Sequence, residues 1–158
     1  MSVTSIASYT VTEIAGLSIS DLQGISARDF GALLGTQVAA LTTLQVAALT
    51  TTQIKSLVSD QLAAMGTTQI AALTTTEVAA MTTRAVDGLT ASLIDAFSSY
   101  QIANFASACV SELSITQFSA LTKDQLGALT VTQMRGLNST DISELSASQL
   151  QTFTPTQI

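Results

Sequence analysis

The chain has no histidine and no tryptophan, one cysteine, one proline, and only five lysines and arginines in 158 residues. Each shortage excludes something. Without histidine, the commonest general base, the usual hydrolase triads and most zinc sites are out of reach. Cys109 has no second cysteine to pair with, so there is no internal disulfide framework. With no histidine to activate it, its thiol reads as a half-buried structural group. Five basic residues that form no cluster, against eleven acidic ones, give a net charge of −6 and a pI near 4.1. That balance disfavours nucleic acid and anionic lipid surfaces as partners. There is no glycine-rich phosphate loop, and no apolar run approaches the roughly 20 residues of a spanning helix. The opening residues, Met1 to Ile6, lack the basic region and apolar stretch of a cleavable signal peptide. The expectation is a protein that is not an enzyme, holds no cofactor or metal, and does not insert into a membrane.

What is present is a repeat of eight residues without insertion or deletion. With Thr50 as position 1, position 5 falls on Ile6, Ile14, Leu22, Phe30, Val38, Val46, Ile54 and so on to Ile158, and each of these positions is large and apolar. Position 8, from Tyr9 to Phe153, is large and apolar throughout, and neither position ever carries a charge. The chain is 47% hydrophobic. Apolar residues at this spacing are enough to bury a continuous core, and the composition is not that of a disordered chain.

The remaining positions define the local shape. Position 1 is Ser, Thr or Asn except at Leu34, Val58, Gly66 and Ala106, and position 4 is mostly Gln, Glu or Asp. A hydroxyl followed three residues later by Gln or Glu is the capping-box pattern. Thr50 is then an N-cap, Gln53 is N3 and Ile54 is N4. Leu49, one residue before the cap, is placed to staple onto Ile54. Pro155 supports this phase, because after Thr154 it occupies N1, where a missing N–H costs nothing. Each unit therefore predicts about six helical residues, roughly one and a half turns.

A single continuous helix is excluded by geometry. Eight residues advance about 800°, about 80° past two full turns, so the apolar stripe would spiral round the helix. In one flat strand, positions 5 and 8 would point to opposite faces. The predicted fold is all-α, a solenoid of very short capped helices over residues 1–158, with a β-solenoid turning a corner inside each unit as the alternative.

No linker, Pro/Gly-rich break or charge run divides the chain, which reads as one domain of about 20 octapeptide units. The units loosen between Thr82 and Leu113, where position 4 becomes Ala85, Leu93 and Cys109. Phe97 and Phe105 there read as bulky core residues at position 8. Leu93 and Tyr100, at positions 4 and 3, are expected to face outward as a candidate lateral contact. Asp87 with Asp95, and Glu112 with Glu144, recur at equivalent positions, but no loop supplies the six or more oxygens that calcium needs. Threonine pairs at positions 2 and 3 raise ice binding as a minor alternative, although Arg28, Asp60, Arg84, Lys123 and Asp124 interrupt the rows.

The unit Thr-Thr-x-Gln-Ile/Val-Ala-Ala-Leu, as in residues 66–73 and 74–81, resembles the octapeptide tracts of large secreted or surface-associated bacterial repeat proteins of adhesin-like type. The resemblance implies an extracellular or cell-surface, structural or adhesive setting, and it carries no site residues. Solenoid units contact mainly their neighbours, so uncapped ends are complementary. Head-to-tail contact of that kind does not close and gives fibres. The functional expectation is therefore a structural protein that assembles with itself end to end into an extracellular filament or surface layer. The alternative is a spacer or ligand-binding module of an adhesin.

Overall fold

A six-residue helix is far below the length at which a helix is stable alone in water, roughly 12–15 residues. Whatever holds these segments must come from their packing. The computed structural model describes residues 6–143, 145–155 and 157. Among them the chain forms a 3-10 turn, Ile6–Ser8, followed by 18 α-helices of four to six residues and no strand. In order these are α1 (Val11–Ala15), α2 (Ile19–Gly24), α3 (Ala27–Gly31), α4 (Gly35–Ala39), α5 (Thr43–Val46) and α6 (Thr51–Ser56). Then come α7 (Ser59–Ala63), α8 (Thr67–Ala72), α9 (Thr75–Ala79), α10 (Thr83–Val86), α11 (Ala91–Asp95) and α12 (Ser99–Ile102). The series closes with α13 (Ser107–Ser111), α14 (Ile115–Ser119), α15 (Lys123–Gly127), α16 (Val131–Met134), α17 (Ser139–Ser143) and α18 (Ala147–Leu150). There is one helix per octad, as the caps predict, and the β-solenoid alternative is set aside.

The corner between helices is made by the cap itself. Thr50 has φ −74 and ψ 153, an extended conformation, and the other described N-caps are extended in the same way, for example Thr10, Thr42 and Ser146. The extended cap, joined at several corners by an extended residue before it, as Leu57 before Val58, bends the path without any left-handed residue: no described residue has a positive φ. The bends wind the chain into a solenoid. Helix α3 packs on α6, α4 on α7, α9 on α12 and α13 on α16, each three octads apart. Hydrogen bonds from one turn to the one before span 28 to 31 residues. One winding therefore takes between three and four octads.

The core is the stack of positions 5 and 8. Position 5 is fully buried from Ile14 through Ile70 to Leu126, and position 8 is buried from Leu33 to Phe105. Each such side chain contributes about 1.5–3 kcal/mol, and that burial replaces the stability the short helices lack. The two positions face opposite ways along the axis. In the first winding Ile14, Leu22 and Phe30 are sealed while Tyr9, Leu17 and Ile25 are only partly covered; in the last, Met134 and Ile142 are partly covered and Leu150 is exposed. Position 5 of one winding thus packs under position 8 of the next. The bulkiest part of the core joins Phe97 and Phe105, whose rings meet edge to face at 5.0 Å. An apolar cavity of about 10 Å³ beside them, among Ile94, Ile102 and Leu129, is no larger than one water and offers no small-molecule site.

Close stacking sets the glycine pattern. A Cβ on Gly88 would lie 2.0 Å from the Ser59 carbonyl oxygen, whereas one on Gly24 would meet nothing within 4 Å. Gly88→Ala should therefore force two windings apart and cost about 2–3 kcal/mol, while Gly24→Ala should stabilise by about 0.5–1 kcal/mol. Urea unfolding of the two variants, compared with the parent chain, checks both signs.

Candidate functional site: a glutamine ladder between windings

Position 4 carries the chemistry that joins one winding to the next. In an isolated capping box the N3 side chain only has to accept. Here it also donates. The Oε1 atom of Gln53 accepts the Thr50 N–H at 3.0 Å, while the Gln53 N–H donates to Thr50 Oγ1 at 3.2 Å. Its Nε2 then reaches into the previous winding and donates to the carbonyls of Leu22 at 2.6 Å and Ile25 at 3.1 Å. Gln53 is 0% exposed, and its bond to the Leu22 carbonyl is made away from water. One side-chain amide uses its acceptor and both of its protons.

The same geometry recurs at regular intervals. Gln45 donates to Ile14 and Leu17, Gln61 to Phe30 and Leu33, and Gln69 to Val38 and Leu41. Further on, Gln117 donates to Val86 and Leu89, Gln125 to Ile94 and Phe97, and Gln133 to Ile102 and Phe105. The acceptors lie where the short helices end: the position-8 carbonyl each time, with the position-5 carbonyl, the position-6 carbonyl or both beside it, as where Gln45 also donates to Ala15 and Gln61 to Gly31. Even where position 1 has no hydroxyl, half of the box survives: the N–H groups of Leu34, Val58 and Gly66 still donate to Gln37, Gln61 and Gln69.

The first winding differs. Its position 4 is Glu13, Asp21 and Asp29, all exposed. Each serves its own cap, as where Thr10 N–H donates to Glu13 at 2.7 Å and Ser26 Oγ donates to Asp29 at 2.7 Å. The Thr10 backbone N–H, then its hydroxyl, hold the Glu13 carboxyl below its ordinary range. A carboxylate accepts and cannot donate, so these three units cap without offering a rung. Position 4 is also broken at Ala85, Leu93 and Cys109, and it carries buried carboxylates at Glu77 and Asp141. The Cys109 thiol takes the amide's place, donating to the Met81 carbonyl at 3.3 Å. Burial pushes that thiol up, and the charge of Glu112 adds to the effect.

The residues singled out from the sequence fall as follows. Leu49 and Leu57 are 6% and 2% exposed and Ile54 is fully enclosed, while Thr50 and Gln53 form the cap. The expectation for Leu93 is corrected. It is 4% exposed, because position 4 points between windings and not outward. Tyr100 is 72% exposed, so the two do not form one surface patch. Glu144 lies outside the described residues. Among the described residues no three His, Cys, Asp or Glu come together in a group that could hold a metal ion, and no helix is long and apolar enough to cross a membrane. The donating role of position 4 is the feature that sequence reasoning missed. Its signal was available: glutamine runs unbroken from Gln37 to Gln69, while three acids in succession, Glu13, Asp21 and Asp29, stand where no winding precedes them among the described residues.

Gln53→Leu removes the rung and leaves the Ile25 carbonyl and the Thr50 N–H without partners, and should cost about 2–3 kcal/mol. Thr50→Ala removes only one of the two cap bonds and should cost about 1 kcal/mol. Urea denaturation of both variants measures the ratio. Residues 43–75 match the family model described as the ALTTAQ repeat. No match is found among curated proteins or among solved structures. The chain is a tract of octapeptide repeats wound into a helical solenoid, and its central units are similar to the ALTTAQ repeat.

Proposed function

We propose that the protein is a non-catalytic structural element that associates with copies of itself, winding on winding, into a filament or surface layer outside the cell. The observation that supports this reading is the complementarity of the two turn faces. Among the described residues the first winding bares position 8 around a concavity lined by Tyr9, Leu17 and Ile25, and the last bares position 5 around one lined by Met134, Ile142 and Leu150. Inside the molecule these two kinds of face are each other's partners. A copy docked end to end would repeat an internal interface, and such heterologous contacts propagate.

The polar groups on the faces set a condition. End-to-end docking lays Glu13, Asp21 and Asp29 over backbone carbonyls of the neighbouring copy. As carboxylates they face oxygen with oxygen, where a glutamine would donate. Negative-stain electron microscopy at about pH 7.5 should show short filaments of the parent chain and longer ones of the triple variant Glu13→Gln, Asp21→Gln and Asp29→Gln. Monodisperse single copies of both proteins at high concentration would overturn the reading. The spacer reading, in which the same faces are covered by further octads of a longer adhesin, then takes its place.

A further inference from the structure

Glu77 is a carboxylate that stands in the glutamine column between two laddered windings, with one of its oxygens buried and unpartnered. Its Oε2 accepts the Thr74 N–H at 2.5 Å, and its own N–H donates to Thr74 Oγ1 at 3.3 Å, so the cap is intact. Its Oε1 is buried and has no hydrogen-bond partner, and the residue is 2% exposed. At Gln69 and Gln101 the corresponding position holds Nε2, donating to carbonyls 31 and 28 residues back. For Glu77 those carbonyls belong to Val46 and Leu49. An ionised carboxylate places oxygen against oxygen there. The nearby Leu49 N–H is committed to the Val46 carbonyl at 3.1 Å. The next two rungs are Ala85 and Leu93, which donate nothing to Leu57 and Met65. Three successive rungs between Gln69 and Gln101 are thus missing, which makes this the weakest seam of the ladder.

We propose that the Glu77 carboxyl is an acid-operated latch on this seam: protonated, its Oε1–H donates to the carbonyls of the preceding winding and closes the joint, and ionised it leaves the joint open to local separation. The groups facing it impose no competing charge. Lys55 on α6 and Tyr100 on α12, the ionisable side chains of the helices packed on α9, are both exposed, and residues 46–49 carry none. Arg84 and Asp87 on the following helix α10 are exposed as well. Desolvation raises the Glu77 carboxyl above its ordinary range, and the two Thr74 bonds only partly offset it. The folded chain therefore holds this proton where the unfolded chain has lost it. Stability from this group is complete below the ordinary carboxylate value of 4.5 and falls as pH rises through the raised one.

Glu77→Gln installs the residue that neighbouring units already use, so the variant should fold. At pH 7.5, amide exchange in residues 42–57 and 74–97 should slow about tenfold or more relative to the parent chain, and at pH 4 the two proteins should exchange alike. The urea midpoint of the parent should fall between pH 4.5 and 7.5 by more than that of the variant. As a second reading, the Glu77 carboxyl carbon should titrate by NMR well above that of Glu13. Parallel pH profiles for the two chains, or a Glu77 that titrates with Glu13, would overturn the latch.

Discussion

A side-chain amide can accept through its oxygen and donate through its nitrogen at once, and this solenoid depends on both being used. A chain broken into helices of four to six residues exposes helix ends everywhere. Each end leaves N–H groups and carbonyls without intrahelical partners, and burying them bare would cost about 1–3 kcal/mol apiece. Glutamine at position 4 resolves the problem from both sides. Its oxygen completes the cap of its own helix, and its nitrogen satisfies the leftover carbonyls of the winding before. Glutamate satisfies only the first need, and asparagine is one methylene too short for the same reach.

The core follows from this arrangement. Because the polar ends are satisfied in the stacking direction, positions 5 and 8 can be uniformly apolar. The core is thin, one layer of side chains from each winding. Stability is then close to a sum over neighbouring windings, and it is uneven where the ladder is. Between Gln69 and Gln101 the seam rests on apolar contact at Ala85 and Leu93 and on a carboxyl at Glu77. The large aromatic pair Phe97 and Phe105 lies just beyond it, adding buried area where polar joints are fewest. Function, on the reading proposed above, uses the same surfaces: a face that stacks inside the molecule can stack between molecules.

Much of this was legible in the octad. The alternation of a hydroxyl at Thr50, an amide at Gln53 and apolar residues at Leu49, Ile54 and Leu57 specifies a capped helix of about six residues by local rules alone. Local rules also excluded a continuous helix, because eight residues do not close on 3.6. The burial of Leu93 does not follow from local rules, because the preceding winding, and not solvent, lies beyond its N3 position. The number of octads per winding was not legible either. It depends on the bend at each extended cap summed over several units, and small angles add up over residues far apart in sequence. The second role of glutamine belongs to the same class, since its acceptors lie 28 to 31 residues away.

The most direct test of the ladder is the exchange of glutamine side-chain amide protons with solvent, read residue by residue by NMR. The Nε2 protons of Gln53, Gln61 and Gln125, buried and bonded to the preceding winding, should exchange slowly, together with the backbone amides of the core helices. Those of Gln151, which is exposed, should exchange at the rate of a free side chain. Equal, fast exchange at all four residues would contradict the claim that these amides hold the windings together.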